Sequence, residues 1–173
     1  MKTRDEKGRA KDLLYMVNPI DRAKQKEMQN QAVMNALGQD FSVIFLTDLR
    51  QDTIELIRGM EDTHIGRKLE DLHYRYSEWI RYACEHLVHA ADREEMAVLL
   101  SPSRLEEELL RHKMYSVRCH VRPNPAGNEY FEVRAVLSQQ DEDHFEVIIG
   151  HRALDQIIHE ERKKQQQLEE ALR

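Results

Sequence analysis

The chain lacks most of the features from which a function is usually read. It holds only two cysteines, Cys84 and Cys119, and no Cys-x-x-Cys. That argues against a disulfide framework and suits a reducing compartment. No apolar run approaches the ~20 residues that span a bilayer. No signal peptide opens the chain, so a cytoplasmic location without membrane insertion is expected. The patterns GxxxxGKS/T, GxSxG, HExxH and GxGxxG are absent. With them go the phosphate cradle, the nucleophile elbow, the metalloprotease pair and the dinucleotide turn. Enzymatic activity is therefore not expected, and no cofactor is required. Positive charge is also in deficit: the net charge is −6, and attraction to nucleic acid does not follow. Lys2, Arg4, Lys7, Arg9 and Lys11 make the first residues locally basic. They read as an irregular start rather than a binding arm.

What is present is the material of one domain with extra helices. The chain has 173 residues, of which 40% are apolar and 34% charged. A core is feasible, and the charge surplus points to long solvated helices. After an irregular segment over 1–21, Asn18 and Pro19 read as a helix start. A helix flanking the domain then fills 22–40, ending at Gly38, with Met28, Met34 and Leu37 on its apolar side. "FSVIFLTDLRQDTIELIRG" (41–59) reads as a hairpin turned at "DLRQD". Helices follow over 76–87, 92–101 and 101–112, the last with Ser103 as cap and Glu106 completing a capping box. Three strands alternate apolar and polar residues: "MYSVRCHV", "YFEVRAVL" and "HFEVIIG". Short links make them antiparallel neighbours. From Leu154 a polar helix runs on, with Leu154, Ile158, Glu161, Gln165, Leu168 and Leu172 forming a heptad seam with a polar middle. Its periodicity is unbroken at Arg173, which suggests a linker to a downstream domain.

Two strands are apolar on both faces. In the first, Phe41, Val43 and Phe45 point one way and Ile44 and Leu46 the other. In the last, Ile148 opposes Val147 and Ile149. Such strands belong in the middle of a sheet covered on both sides. The helical insert can cover one face. The flanking helix or a second copy must cover the other, so a homodimer is expected.

The order of these elements, two strands, a helical insert, three strands and an exit helix, resembles PAS sensor domains. "VHAADREE" resembles the "hHPeDre" segment of that family. "YSVRCHVRPNPAGNEYFEVRAV" resembles its strand pair. "GHRALDQIIHEERKKQQQLEEAL" resembles its exit "G..rDITe.k..E..L". Ala90 stands where the first segment carries Pro, Ala153 where the exit motif carries its first Asp, and Asp155 where it carries Thr. The resemblance covers roughly 22–173 and is nearest to the domains that precede GGDEF diguanylate cyclase domains in bacteria. It implies an α+β fold: a five-stranded antiparallel sheet with helices on one face over 41–152, and a signalling helix over 153–173. It further implies a non-catalytic sensory and dimerisation domain acting on an effector in the same polypeptide, a diguanylate cyclase first and a histidine kinase second. The other reading is a protein-interaction module with no small ligand.

If a small molecule binds, face arithmetic and the family layout place it among Trp79, Tyr82, Tyr115, Cys119, Phe131, Val133 and Val147. Dimer contact and signal transfer would fall to Met28, Met34, Leu37, Ile44, Leu46, Ile148, Leu154, Asp155 and Ile158. Other chemistries are poorly served. Cys84, His86 and His89 have metal-ligand character, but Cys84 and His86 point about 200° apart on a helix. No histidine is singled out for haem. Neither cysteine has the Asn-Cys-Arg-Phe context of flavin photosensors. His89 and Asp92 read as a helix start, with Asp92 accepting from exposed N–H groups.

Overall fold

The computed structural model describes residues 23–25, 27, 28, 31, 41–59 and 63–173. Those described between 23 and 31 are helical, within the flanking helix expected from the sequence. Met34 and Leu37 lie outside the described residues.

The chain then makes strand β1 (Val43–Asp48), strand β2 (Thr53–Arg58), helix α1 (Thr63–Asp71) and helix α2 (Tyr76–His86). A 3-10 turn (Ala90–Asp92), helix α3 (Arg93–Leu99) and helix α4 (Pro102–His112) follow. Strands β3 (Met114–His120), β4 (Tyr130–Gln140) and β5 (Phe145–Ala153) lead into helix α5 (Asp155–Ala171). The strands form one antiparallel sheet in the order β2-β1-β5-β4-β3. This is the expected α+β architecture.

The two strands that are apolar on both faces, β1 and β5, lie side by side inside the sheet, registered Phe45 to Ile149 and Leu46 to Ile148. Burial has put them there, because both of their faces must leave water. One face carries Phe45, Ile54, Val117, Cys119, Val133, Ala135, Phe145, Val147 and Ile149. The helical insert covers it with Leu69, Tyr76, Trp79, Met96, Leu105 and Leu109, among others. The other face carries a smaller cluster of Phe41, Ile44 and Ile148, with Leu46 and Val136 beside it. Phe41 was expected beside Val43 and Phe45. It belongs instead with Ile44, because the chain bends at Ser42 before the strand begins.

Local chemistry sets the turns. The Asp48 carboxylate accepts from the N–H groups of Arg50 and Gln51, closing the first hairpin. Asp141 does the same for Asp143 and His144 between β4 and β5. In α4 the cap is Ser101, whose Oγ accepts from Arg104 N–H, with Pro102 in the first turn. Ser103, the cap read from the sequence, already lies inside the helix. Pro at the first helical position moves the preferred start to the residue before it. No helix among the described residues is long and apolar enough to cross a membrane.

Candidate functional site

The seven residues expected to line a ligand site do converge between sheet and helices. They meet as packing. Trp79, Cys119, Val133 and Val147 are buried in the main cluster, and Tyr82, Tyr115 and Phe131 are partly buried against it. Trp79 tilts against Phe45 at 5.3 Å between ring centroids and against Tyr82 at 5.9 Å. Tyr82 in turn stacks on His86 at 4.5 Å, with Lys68 Nζ 4.5 Å above its ring. At the other end of this row, His151 meets Phe45 edge-on at 5.4 Å. Two polar groups sit in or beside this apolar set. Trp79 is only 4% exposed, and its Nε1–H has no acceptor among the described residues. Burial lowers the His151 pKa to about 4, which keeps its imidazole neutral at ordinary pH.

A groove of about 380 Å³ does open, among the helices of the insert. It runs between α2 and α3, past Ile80, Cys84, Ala97 and Pro102, with Arg81 and Glu94 at its rim. None of the seven expected residues lines it. Its lining comes from the helical insert alone, and no residue of the sheet face on which the expectation was built takes part in it.

Among the residues expected to pass a signal, Leu154 and Asp155 carry the geometry. Leu154 is buried, and its N–H donates to Tyr130 O at 2.9 Å. The Asp155 carboxylate accepts from Glu129 N–H at 2.8 Å and from Tyr130 N–H at 3.4 Å. These bonds root α5 on the start of β4. Ile158 N–H donates to Leu154 O at 2.9 Å and begins the helical ladder. Beyond Ile158 every residue of α5 is exposed, Leu168 at 62% and Leu172 at 80%. Ile44 and Ile148 are already buried within the chain itself, Leu46 is partly buried, and Met28 is exposed.

The remaining candidates resolve one by one. His89 accepts from Ala91 N–H through Nδ1 and caps the 3-10 turn. Asp92 does not cap the helix that follows it. Its carboxylate accepts from His120 N–H at 2.8 Å and meets His120 Nδ1 at 3.3 Å. The backbone bond from His120 is the main reason its pKa falls below the ordinary Asp value. Asp92 therefore ties the helical insert to the edge strand β3. Cys84 and Cys119 are both buried and unpaired. Burial raises both thiols, Cys119 to about 11, so little thiolate is present for redox or metal chemistry. His86 lies on α2 with Nδ1 3.1 Å from Tyr82 O. Among the described residues no group of three His, Cys, Asp or Glu side chains is placed to hold a metal ion.

Sequence reasoning missed Asp52. It sits in the first hairpin turn with φ of 54°. Its carboxylate accepts from Ser77 N–H and Ser77 Oγ–H, both at 2.7 Å, and from Arg75 Nε at 3.0 Å. Burial works against its charge, but these bonds outweigh it and hold the pKa below the ordinary Asp value. The residue at the head of α2, Arg75, makes no side-chain cap. The cap comes from across the fold.

No protein-family model and no curated protein matches the chain. Among solved structures, it is similar to the crystal structure of a domain assigned to a light and redox sensing histidine kinase of Haloarcula marismortui. The identity is 12%, the TM-score 0.42, and the match covers 72% of this chain and 98% of that one.

Proposed function

We propose that the chain is a non-catalytic sensory and dimerisation domain of a bacterial, cytoplasmic signal-transduction protein. It acts through α5 on an effector in the same polypeptide, a diguanylate cyclase first and a histidine kinase second. The observation that carries this reading is the way α5 is held. Its root is fastened to β4 by Leu154 and Asp155, while the rest of the helix is in water. A solvated helix of 17 residues is marginal alone. It gains stability from a partner helix along Ile158, Leu168 and Leu172, whereas Leu154, the first seam position read from the sequence, is buried within its own domain. A seam with Glu161 and Gln165 in its middle pairs weakly. A weak pair is what a two-state relay needs, because a gap of a few kcal/mol can be tipped from the sheet.

Small-molecule sensing would use the core around Trp79, where the orphan indole N–H offers a donor. The packing of the seven candidate residues favours the second reading, an interaction module without a ligand. Native mass spectrometry of the protein as purified from cells separates the two. A dimer with added mass supports a ligand-bound sensor. A clean dimer supports the interaction module. A bare monomer overturns the dimer in both.

A further inference from the structure

The sheet face turned away from the helical insert holds an arrangement that neither reading uses. Phe41 lies two residues ahead of β1. Its ring is buried and packs against Gly150 of β5. A Cβ built at Gly150 would lie 2.6 Å from Phe41 Cδ1 and 3.0 Å from Cγ. Only glycine leaves room for the ring. Two guanidinium groups flank it, Arg134 at 5.2 Å and Arg152 at 5.1 Å from the ring centroid.

Both arginines are also held from below. Glu132 is 4% exposed. Its carboxylate accepts from Arg152 Nε at 2.5 Å and from Arg134 Nη2 at 3.1 Å. Arg134 Nε is 3.3 Å from Ser116 Oγ. Burial works against the charge on Glu132, but the two guanidiniums hold its pKa below the ordinary Glu value. A buried carboxylate with its partners is costly unless its geometry is kept. Phe41 gives both of its cationic partners an aromatic face. Beside the ring, Ser42 N–H donates to His151 O at 3.0 Å. The contacts thus run from Phe41 through Arg152 to Glu132 on β4. From Arg152 the chain reaches Leu154 and Asp155 within three residues, and these fasten to the start of the same strand.

We propose that Phe41 is a mechanical latch, which couples the chain entering the sheet to the root of the exit helix through Gly150, Arg152 and Glu132. With the ring seated, the end of β5 and the first turn of α5 are held in one geometry. With the ring withdrawn, Arg152 loses its aromatic face, and the root of α5 loosens. A pull on the chain ahead of Phe41 is thereby delivered to α5. This coupling is a property of the domain and does not depend on what lies beyond α5.

The test is amide hydrogen exchange, resolved residue by residue by NMR, on the whole chain. Phe41→Ala and Gly150→Ala unseat the ring by different routes. Both are expected to speed exchange at Glu129, Tyr130, Leu154 and Ile158 by about tenfold. Leu105 N–H, bonded to Ser101 O at the head of α4, keeps its rate. If Phe41→Ala does not fold, Gly150→Ala and Phe41→Leu carry the test. The leucine keeps an apolar side chain over the strand and removes only the aromatic face. It is expected to give the same pattern with a smaller effect. Wild-type rates at Leu154 and Ile158 in the folded variants would overturn the latch. So would a uniform acceleration that includes Leu105.

Discussion

Two histidines respond to pH in opposite directions, and their surroundings explain both. His144 donates through Nδ1 to the Asp48 carboxylate at 2.6 Å, and this bond raises its pKa above the ordinary value. Its stabilisation is fully present below the unfolded value of about 6.5. It is lost as pH rises through the higher folded value. Asp48 is pushed up by burial. The bond from His144 and the N–H groups of Phe145, Gln51 and Arg50 outweigh that and hold it low. His151 behaves conversely. With a folded pKa of about 4, it refuses a proton that the unfolded chain accepts. Stability therefore falls as pH drops from about 6.5 toward 4, by at most about 1.4 kcal/mol per pH unit from this group. Urea midpoints across pH should show the advantage of the wild type over His144→Ala shrinking above about pH 6.5. His151→Leu should flatten the acid arm between about pH 6.5 and 4. An acid arm unchanged in that variant would mean that the imidazole reaches water.

At the scale of elements, the helices depend on groups supplied from elsewhere. Helix α2 is capped by Asp52 from the β1–β2 turn. Asp52→Ala should cost about 1–2 kcal/mol, the range of a lost cap. Asp52→Asn should cost less, since Asn tolerates the positive φ and retains an accepting oxygen. Chemical denaturation checks the order, and equal losses in the two variants would point to the charge rather than the cap. For helix α5 the proposed partner is the same helix of a second copy. Replacing Glu161 and Gln165 by Leu should raise its helicity and its dimerisation together. Circular dichroism at 222 nm would then hold its signal to lower protein concentrations than in the wild type. Helicity independent of concentration in both proteins would show that α5 needs no partner.

For the molecule as a whole, sheet and helical insert share one core and should unfold together. Trp79, the single tryptophan, is buried in that core and reports on it. Its fluorescence should change in one sharp transition in urea. The far-UV signal should slope before that transition as exposed α5 frays, then fall with it. Leu109→Ala, at a fully buried position, should shift both signals by about 2–5 kcal/mol. A fluorescence transition in two steps would mean that the insert and the sheet are separate units.

The amino-acid sequence was enough for the order of the five strands, the alternation in β3 and β4, and the central place of β1 and β5. These rest on local periodicity, which is written residue by residue. It was silent on α1, whose buried contribution is little more than Leu69, with Ile65 partly covered. It placed the α4 cap at Ser103 instead of Ser101, although Pro102 was the available signal. Of the candidate site, it assembled the right core residues but could not tell a lined cavity from packing. That distinction depends on fractions of an ångström between side chains far apart in the chain. The tertiary structure alone decided that Asp52 caps α2, that Asp92 reaches β3, that Asp155 grips β4, and that Phe41 lies on Gly150. In each case the partner is tens of residues away, and no local pattern marks it. A carboxylate or a ring finds such a partner only when the fold brings an unpaired donor or a bare strand within reach.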